Sequence, residues 1–179
     1  VDRLAKQCNV SVAIEKCAAG QTPFPDETFD IIYAGNLLHH VDIQATLIEV
    51  RRILKVGGIA VFWDPLNHNP LIKLYRELAK SVRTEDEHPL RMSQLSVFKQ
   101  LFQTVKFDCF WFFTLWLFLR FFIVERVSPN QERYWKKIIV EHKRLHYIYS
   151  PLEKIDRFFL NRFPFLKRYC WNIVIHCVK

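Results

Sequence analysis

Two apolar runs on either side of one amphipathic stretch restrict the fold of this 179-residue chain more than any other feature. "FDIIYA" (Phe29–Ala34) and "IAVFW" (Ile59–Trp63) are short, rich in β-branched and aromatic residues and nearly free of polar ones. Runs of that kind suit strands buried on both faces, as in a parallel sheet covered by helices. Between them Ile43, Leu47, Val50 and Leu54 recur at intervals of four, three and four. That spacing lays one apolar stripe along a helix and leaves Glu49, Arg51 and Arg52 largely outside it. Asp42 is placed to cap the helix, and Gly57-Gly58 to end it. Strand, helix, strand with apolar strands is a parallel βαβ unit, and the fold class is α/β. A further β-rich run, "SVAIEKC" (Ser11–Cys17), reads as the strand before.

In such sheets ligands sit beyond the carboxyl ends of the strands, where loops reach them. Three loop ends are candidates: Cys17-Ala18-Ala19, Ala34-Gly35-Asn36 and Asp64-Pro65. Small residues at the first two let a flat heterocycle or a thioether chain approach the backbone. Asn36 offers a donor and an acceptor, and Asp64 offers a base or a substrate anchor. Ordinary strand–loop transitions are the alternative at each.

The stretch "PFPDETFDIIYAGNLLHHV…LIEVRRILKVGGIAVFWDP" resembles the second half of class I S-adenosylmethionine-dependent methyltransferases, in particular the quinone-biosynthesis (type 11) group. The likeness is dense over residues 11–66, and "WNIVIHCVK" is similar to that family's closing antiparallel strand. It implies a Rossmann-like sheet ordered 3-2-1-4-5-7-6 with helices on both faces, and S-adenosyl-L-methionine as cofactor. By position, Ala18 and Ala19 would flank the adenine, and Asn36 and Leu37 would line the cofactor after strand four. His40 would be a pocket wall. Ala18 departs from the acidic residue that many relatives carry there. The four glycines include no glycine-rich loop ahead of Cys17. The expectation is therefore a partial sheet, with residues 1–106 as a truncated methyltransferase core, 107–170 as a helical cap and 171–179 as the closing strand.

Adjacent histidines point apart on a regular helix or strand, so His39 and His40 are not expected to share a metal, and no metal site is expected. His39 reads as a structural or surface residue. Methyl transfer needs in-line positioning, and needs a base only where the acceptor carries a proton of high pKa. Asp64, His68 and His88 are the candidates for that role, with a structural role as the alternative for each. In "RTEDEHPL" (Arg83–Leu90), Thr84 and Glu87 have capping-box spacing, and a polar lid over the acceptor is the second reading.

Charge and aromatics divide the chain. Residues 1–100 hold 12 basic and 12 acidic residues, whereas residues 101–179 hold 14 basic and 6 acidic ones and 20 of the 27 aromatics. "FDCFWFFTLWLFLRFFIV" (Phe107–Val124) is short for a membrane span and carries Arg120, so a sixth strand running into an apolar helix fits better, with partial lipid contact. Trp135, Ile138, Ile139 and His142 mark one face of a following helix. A further helix is expected to start at Ser150-Pro151, with Leu152, Ile155, Phe158 and Phe159 on its apolar side. Basic aromatic helices suit an anionic membrane surface, and a solvated cap over the core is the alternative. Nucleic acid is not expected, because no recognition motif accompanies the charge. Five cysteines without CxxC spacing predict reduced thiols in a cytoplasmic protein, with peripheral membrane contact through residues 107–168.

The functional expectation is methyl transfer from S-adenosylmethionine to a small hydrophobic or lipid-like acceptor. A non-catalytic remnant of that family that binds a membrane or a partner is the alternative.

Overall fold

The computed structural model describes residues 2–79, 81 and 87–179. After helix α1 (Asp2–Cys8), the chain runs without strand structure to β1 (Phe29–Gly35). Helix α2 (Ile43–Ile53) follows, capped by Asp42, whose carboxylate accepts from the Ala45 amide at 2.8 Å. Strand β2 (Leu54–Pro65) pairs parallel with β1, from Ile31 opposite Ile59 to Gly35 opposite Trp63. Between Phe29 and Ile31 the register slips, because Lys55–Gly58 bulges out opposite Asp30. Gly57 adopts φ +75° in that bulge, and the Gly57 and Lys179 amides donate to Lys179 and Gly58 carbonyls.

Helices α3 (Pro70–Leu78) and α4 (Leu95–Leu101) lead to β3 (Thr104–Phe110). A 3-10 turn (Phe113–Leu115), α5 (Trp116–Leu119) and a π-helical turn (Arg120–Val124) come next, then α6 (Tyr134–Val140) and α7 (His142–Arg162). Strand β4 (Asn172–Val178) inserts antiparallel between β2 and β3, giving the order β1-β2-β4-β3. This is the 4-5-7-6 part of the order that the resemblance implies, with the last strand reversed as expected.

Alternation along the strands selects the core face. Ala60 and Phe62 of β2, with Ile173, Ile175 and Cys177 of β4, pack under Leu47 and Val50 of α2 and Phe98 of α4. A second apolar cluster joins α3 (Ile72, Tyr75) to Trp111, Phe118, Phe121, Tyr134 and Trp171. The cap helices therefore share their core with the helix that follows β2.

Six expectations are corrected. Gly57-Gly58 do not end α2, which stops at Ile53; they lie within β2, and Leu54 belongs to that strand rather than to the helix stripe. Ser11–Cys17 is not a strand but exposed, irregular chain. Strand propensity needs a partner edge to act on, and among the described residues nothing pairs with the outer edge of β1. For the same reason β1 is not buried on both faces: Ile31 and Tyr33 are exposed. No helix starts at Ser150; α7 runs through Pro151 unbroken. Packing of Leu145 before the proline and of Asp156 and Leu160 after it holds the two halves in line, offsetting the missing backbone hydrogen bond. Along the later half it is Asp156 and Leu160 that are buried, while Ile155 and Phe158 face outward. Of the face expected on α6, Ile138 is buried and Ile139 and His142 are exposed. No helix among the described residues is long and apolar enough to cross a membrane.

Candidate active site

Because β1 and β2 are parallel and Gly35 lies opposite Trp63, both strands end at the same level. The chain leaves β1 through Asn36, in the left-handed region at φ +54°, with its amide bonded to the Trp63 carbonyl at 2.7 Å. Asparagine tolerates that conformation better than most residues. The sharp exit turns the chain into a 3-10 turn, Leu38–His40, directly beside the last residues of β2.

There Asp64 and His39 meet. His39 Nδ1 lies 2.6 Å from Asp64 Oδ1, and the His39 amide donates to the same oxygen at 3.2 Å. Asp64 is 1% exposed and His39 6%. The His88 amide donates to the His39 carbonyl at 2.7 Å and pins the turn from outside. A carboxylate on Nδ1 fixes the tautomer and orientation of a histidine and leaves Nε2 for a ligand. Asp64 is thus buried and paired rather than open to the cavity, and His39 is a buried residue rather than a surface one.

The two histidine rings, expected to diverge, sit with centroids 4.1 Å apart, because a 3-10 turn separates neighbours differently from a helix or a strand. One ligand atom each from His39, His40 and Glu87 lies within 4.8 Å of the others. Glu87 also carries an ion pair to Arg76 at 2.8 Å, so a cation there would share that carboxylate with a guanidinium.

His39 and His40 open on a cavity of about 320 Å³ at the carboxyl ends of β1 and β2. Trp63, Tyr75, Trp135 and Trp171 give it aromatic walls; Asn36, Arg76, Glu87 and Arg133 give it polar ones. The wall from α3 is set by Asn69. Its side-chain oxygen caps the helix through the Leu71 and Ile72 amides at 2.8 and 3.3 Å, and its Nδ2 donates to the Tyr169 carbonyl at 2.5 Å. Among the described residues neither the buried Trp63 Nε1–H nor Asp64 Oδ2 has a hydrogen-bond partner.

The remaining sequence candidates are dispersed. Asn36 and His40 line the cavity; Ala18, Ala19 and Leu37 do not. Ala18 closes a turn with Gln21, and Gly20 lies against Ala45 in the first turn of α2. His68 does not line the cavity; its Nε2 accepts from the Met92 amide at 3.3 Å. Burial, and then Arg168, Lys73 and Arg91, push its pKa below the usual histidine value. His88 is exposed and faces a separate cleft with Asn67 and Arg91. Thr84, which opens the expected Thr84–Glu87 capping box, lies outside the described residues.

The polar residue that sequence pattern missed on α2 is Glu49. It is buried, accepts from the Thr22 amide and hydroxyl at 2.8 and 2.6 Å, and is forked by Arg52 at 2.9 and 2.7 Å. Arg52 reaches on to Asp26 and the Phe24 carbonyl. The guanidinium beside it, reinforced by Thr22, holds the Glu49 carboxyl down to about 2. This clamp fixes the segment leading from the Ala18–Gln21 turn into β1.

Comparison with known proteins bears directly on this arrangement. Residues 1–62 match a family model described as a methyltransferase domain. Over those residues the sequence is that of a methyltransferase domain, and the chain as a whole has the fold of class I methyltransferases. It is 45% identical over 49 residues to a ubiquinone/menaquinone biosynthesis C-methyltransferase of Desulfotalea psychrophila, covering 27% of this chain and 20% of that protein. A hybrid PKS-NRPS synthetase of Trichoderma harzianum is 34% identical over 59 residues, 32% of this chain and 1% of that protein. Among solved structures, a possible histamine N-methyltransferase of Thermotoga maritima superposes with a TM-score of 0.55 at 17% identity, over 99% of this chain and 68% of that one. Geranyl diphosphate C-methyltransferase of Streptomyces coelicolor gives 0.51 at 16%, over 99% of this chain and 58% of that one. The chain thus spans a fifth or less of the curated relatives it matches, and the structural likeness speaks for the fold.

Proposed function

We propose that this chain forms the acceptor side of an S-adenosylmethionine-dependent methyltransferase acting on a small hydrophobic molecule whose acceptor atom carries a proton. The observation that carries the reading is the buried Asp64–His39 pair opening on an aromatic-walled cavity at the carboxyl ends of two parallel strands. The quinone-biosynthesis and geranyl diphosphate methyltransferases to which the chain is similar are named for hydrophobic acceptors, which supports that class.

The residues present suit one edge of the cofactor. The Ala18–Gln21 turn clamped to α2 offers small residues and free approach to the backbone, and Asn36 and Leu37 follow β1. The buried indole N–H of Trp63, without a partner among the described residues, would supply a donor to a ligand atom beside Asn36. When bound, S-adenosylmethionine supplies an electrophilic methyl group. Trp63, Tyr75, Trp135 and Trp171 hold the acceptor and exclude water. His39 Nε2 takes the acceptor proton. Asp64 keeps the ring oriented and stabilises the imidazolium through Nδ1–H, which is a positioning role.

The test pairs S-adenosylhomocysteine binding by calorimetry with transfer of radiolabelled methyl from S-adenosylmethionine to a panel of phenols, hydroxyquinones and prenols. His39→Gln should lower transfer by about 10²–10⁴-fold with binding retained. Binding absent in wild type, or transfer unchanged in His39→Gln, would sink the reading.

A further inference from the structure

The aromatic residues of the cap do not all serve its core. Phe113 contacts Trp116 at 6.1 Å between centroids and Phe159 at 5.3 Å; Phe159 contacts Phe158 at 5.4 Å and Phe163 at 6.1 Å; Phe163 contacts Phe165 at 6.2 Å. These six rings form one connected strip across the 3-10 turn before α5, the end of α7 and the turn after it. Four of its members are exposed, Trp116 at 61%, Phe158 at 65%, Phe163 at 37% and Phe165 at 66%, while Phe113 and Phe159 are half-buried beneath them. Beyond Trp116 the strip is extended by Leu119, Phe122 and Ile123, outward on the same helical segment whose Leu117, Phe118 and Phe121 are buried.

Cations accompany the rings. On α7, Lys154, Phe158 and Arg162 stand four residues apart and are all exposed, so they share one face. The Arg162 guanidinium lies 5.5 Å from the Phe163 ring centre. The nearby acid Glu153 is paired with Arg157 at 3.1 Å. The region that carries the strip, residues 101–179, also carries the basic excess of the chain.

An isolated exposed phenylalanine needs no explanation, but a connected strip of them does. We infer that this strip is an interfacial anchor for an anionic phospholipid bilayer, with the rings at the level of the acyl boundary and Lys154 and Arg162 at the phosphates. Charge decides for a bilayer over a second copy of this chain, since two such faces would bring Lys154 and Arg162 against their own kind. The contact is a surface one, as no helix among the described residues can span. The inference stands apart from the catalytic reading, since it uses none of the cavity residues.

The experiment is co-sedimentation of the purified chain with phosphatidylcholine vesicles, with and without about 30% phosphatidylserine, over about 0.05–0.5 M salt. Wild type should bind the anionic vesicles, weaken steeply with salt, and bind the neutral ones poorly. Phe158→Ser/Phe165→Ser, both at exposed positions, should lower partitioning about tenfold or more. Lys154→Glu/Arg162→Glu should lower it only on anionic vesicles, by about fivefold or more per charge. Brominated acyl chains should quench wild-type fluorescence more than that of Trp116→Phe. Circular dichroism of each variant checks the fold. No binding by a monodisperse wild type, or binding untouched by the phenylalanine pair, overturns the inference. So does a wild-type dimer that ignores vesicles and that Phe158→Ser/Phe165→Ser dissociates, which would assign the strip to a second copy.

Discussion

Removing His39 should destabilise the chain more than removing both His39 and Asp64. In His39→Leu the Asp64 carboxylate, 1% exposed, keeps among the described residues only the residue 39 amide at 3.2 Å, and its Oδ2 has no partner among them. An uncompensated buried carboxylate of this kind costs about 3–5 kcal/mol. With a denaturant slope of about 2 kcal/mol/M, the urea midpoint falls by about 2 M. Asp64→Leu removes the charge but strands the ring N–H and the residue 39 amide, at about 1–3 kcal/mol. The double variant His39→Leu/Asp64→Leu is left with apolar side chains and one orphaned amide, at about 1–3 kcal/mol, less than the two single costs together. The expected coupling between the positions is therefore about 2 kcal/mol or more.

The assay is urea unfolding of the four proteins, followed by far-ultraviolet circular dichroism and tryptophan fluorescence, with the cycle closed at one pH. Additive effects, or a cost below about 1 kcal/mol for His39→Leu, would show that no buried charge is stranded. The pair could then not hold an imidazolium either. Asp64→Asn separates stability from chemistry. It keeps an acceptor near Nδ1 but loses the charge, so kcat should fall with KM little changed.

Glu49 should make part of the stability acid-sensitive. Its pKa is lowered to about 2 when folded, so its contribution is complete above the ordinary value of 4.5 and is lost as pH falls toward 2. With Arg52 partly exposed the size is about 1–2 kcal/mol, and Glu49→Gln should flatten the urea midpoint over that window relative to wild type; parallel curves would contradict the clamp. A methyl group at residue 58 would meet the Lys55 carbonyl at 2.8 Å, Leu54 Cγ at 2.9 Å and the Asp30 carbonyl at 3.0 Å. Gly58→Ala should cost about 2 kcal/mol or more, lowering Tm by about 4–8 °C, and should exceed Gly57→Ala, which meets open space and loses only its φ +75° freedom. Burial pushes the Cys109 and Cys177 thiols up to about 12 and raises Cys170 as well, whereas Cys8 and Cys17 are exposed. Iodoacetamide on the native chain at pH about 8 should add two labels, seen by mass spectrometry; a third would mean that a strand of the core opens.

What the sequence made legible was whatever is decided within one element. The β1 and β2 runs, the Asp42 cap and the closing strand each depend on apolar spacing or on a residue three positions away, and each stands where it was expected. What it did not show depends on partners distant in sequence. Ser11–Cys17 has strand composition, but a strand exists only against an edge. Pro151 is a good first residue for a helix, yet packing on both sides of it makes α7 one rod.

The site divides along the same line. Asp64 and Asn36 stand out in the sequence because each ends or follows a strand, and His40 through the family resemblance. The pairing of Asp64 with His39 across 25 residues follows from the register of Gly35 against Trp63, which no local pattern contains. Glu49 looked like solvent-facing charge on an amphipathic helix, and its partner Thr22 lies 27 residues away. Once two parallel strands are known to end level, however, the residues just beyond one must face the last residues of the other. A histidine pair after the first strand and a buried aspartate closing the second is then a contact to look for. That rule asks only for the strand ends, which were the most legible part of this sequence.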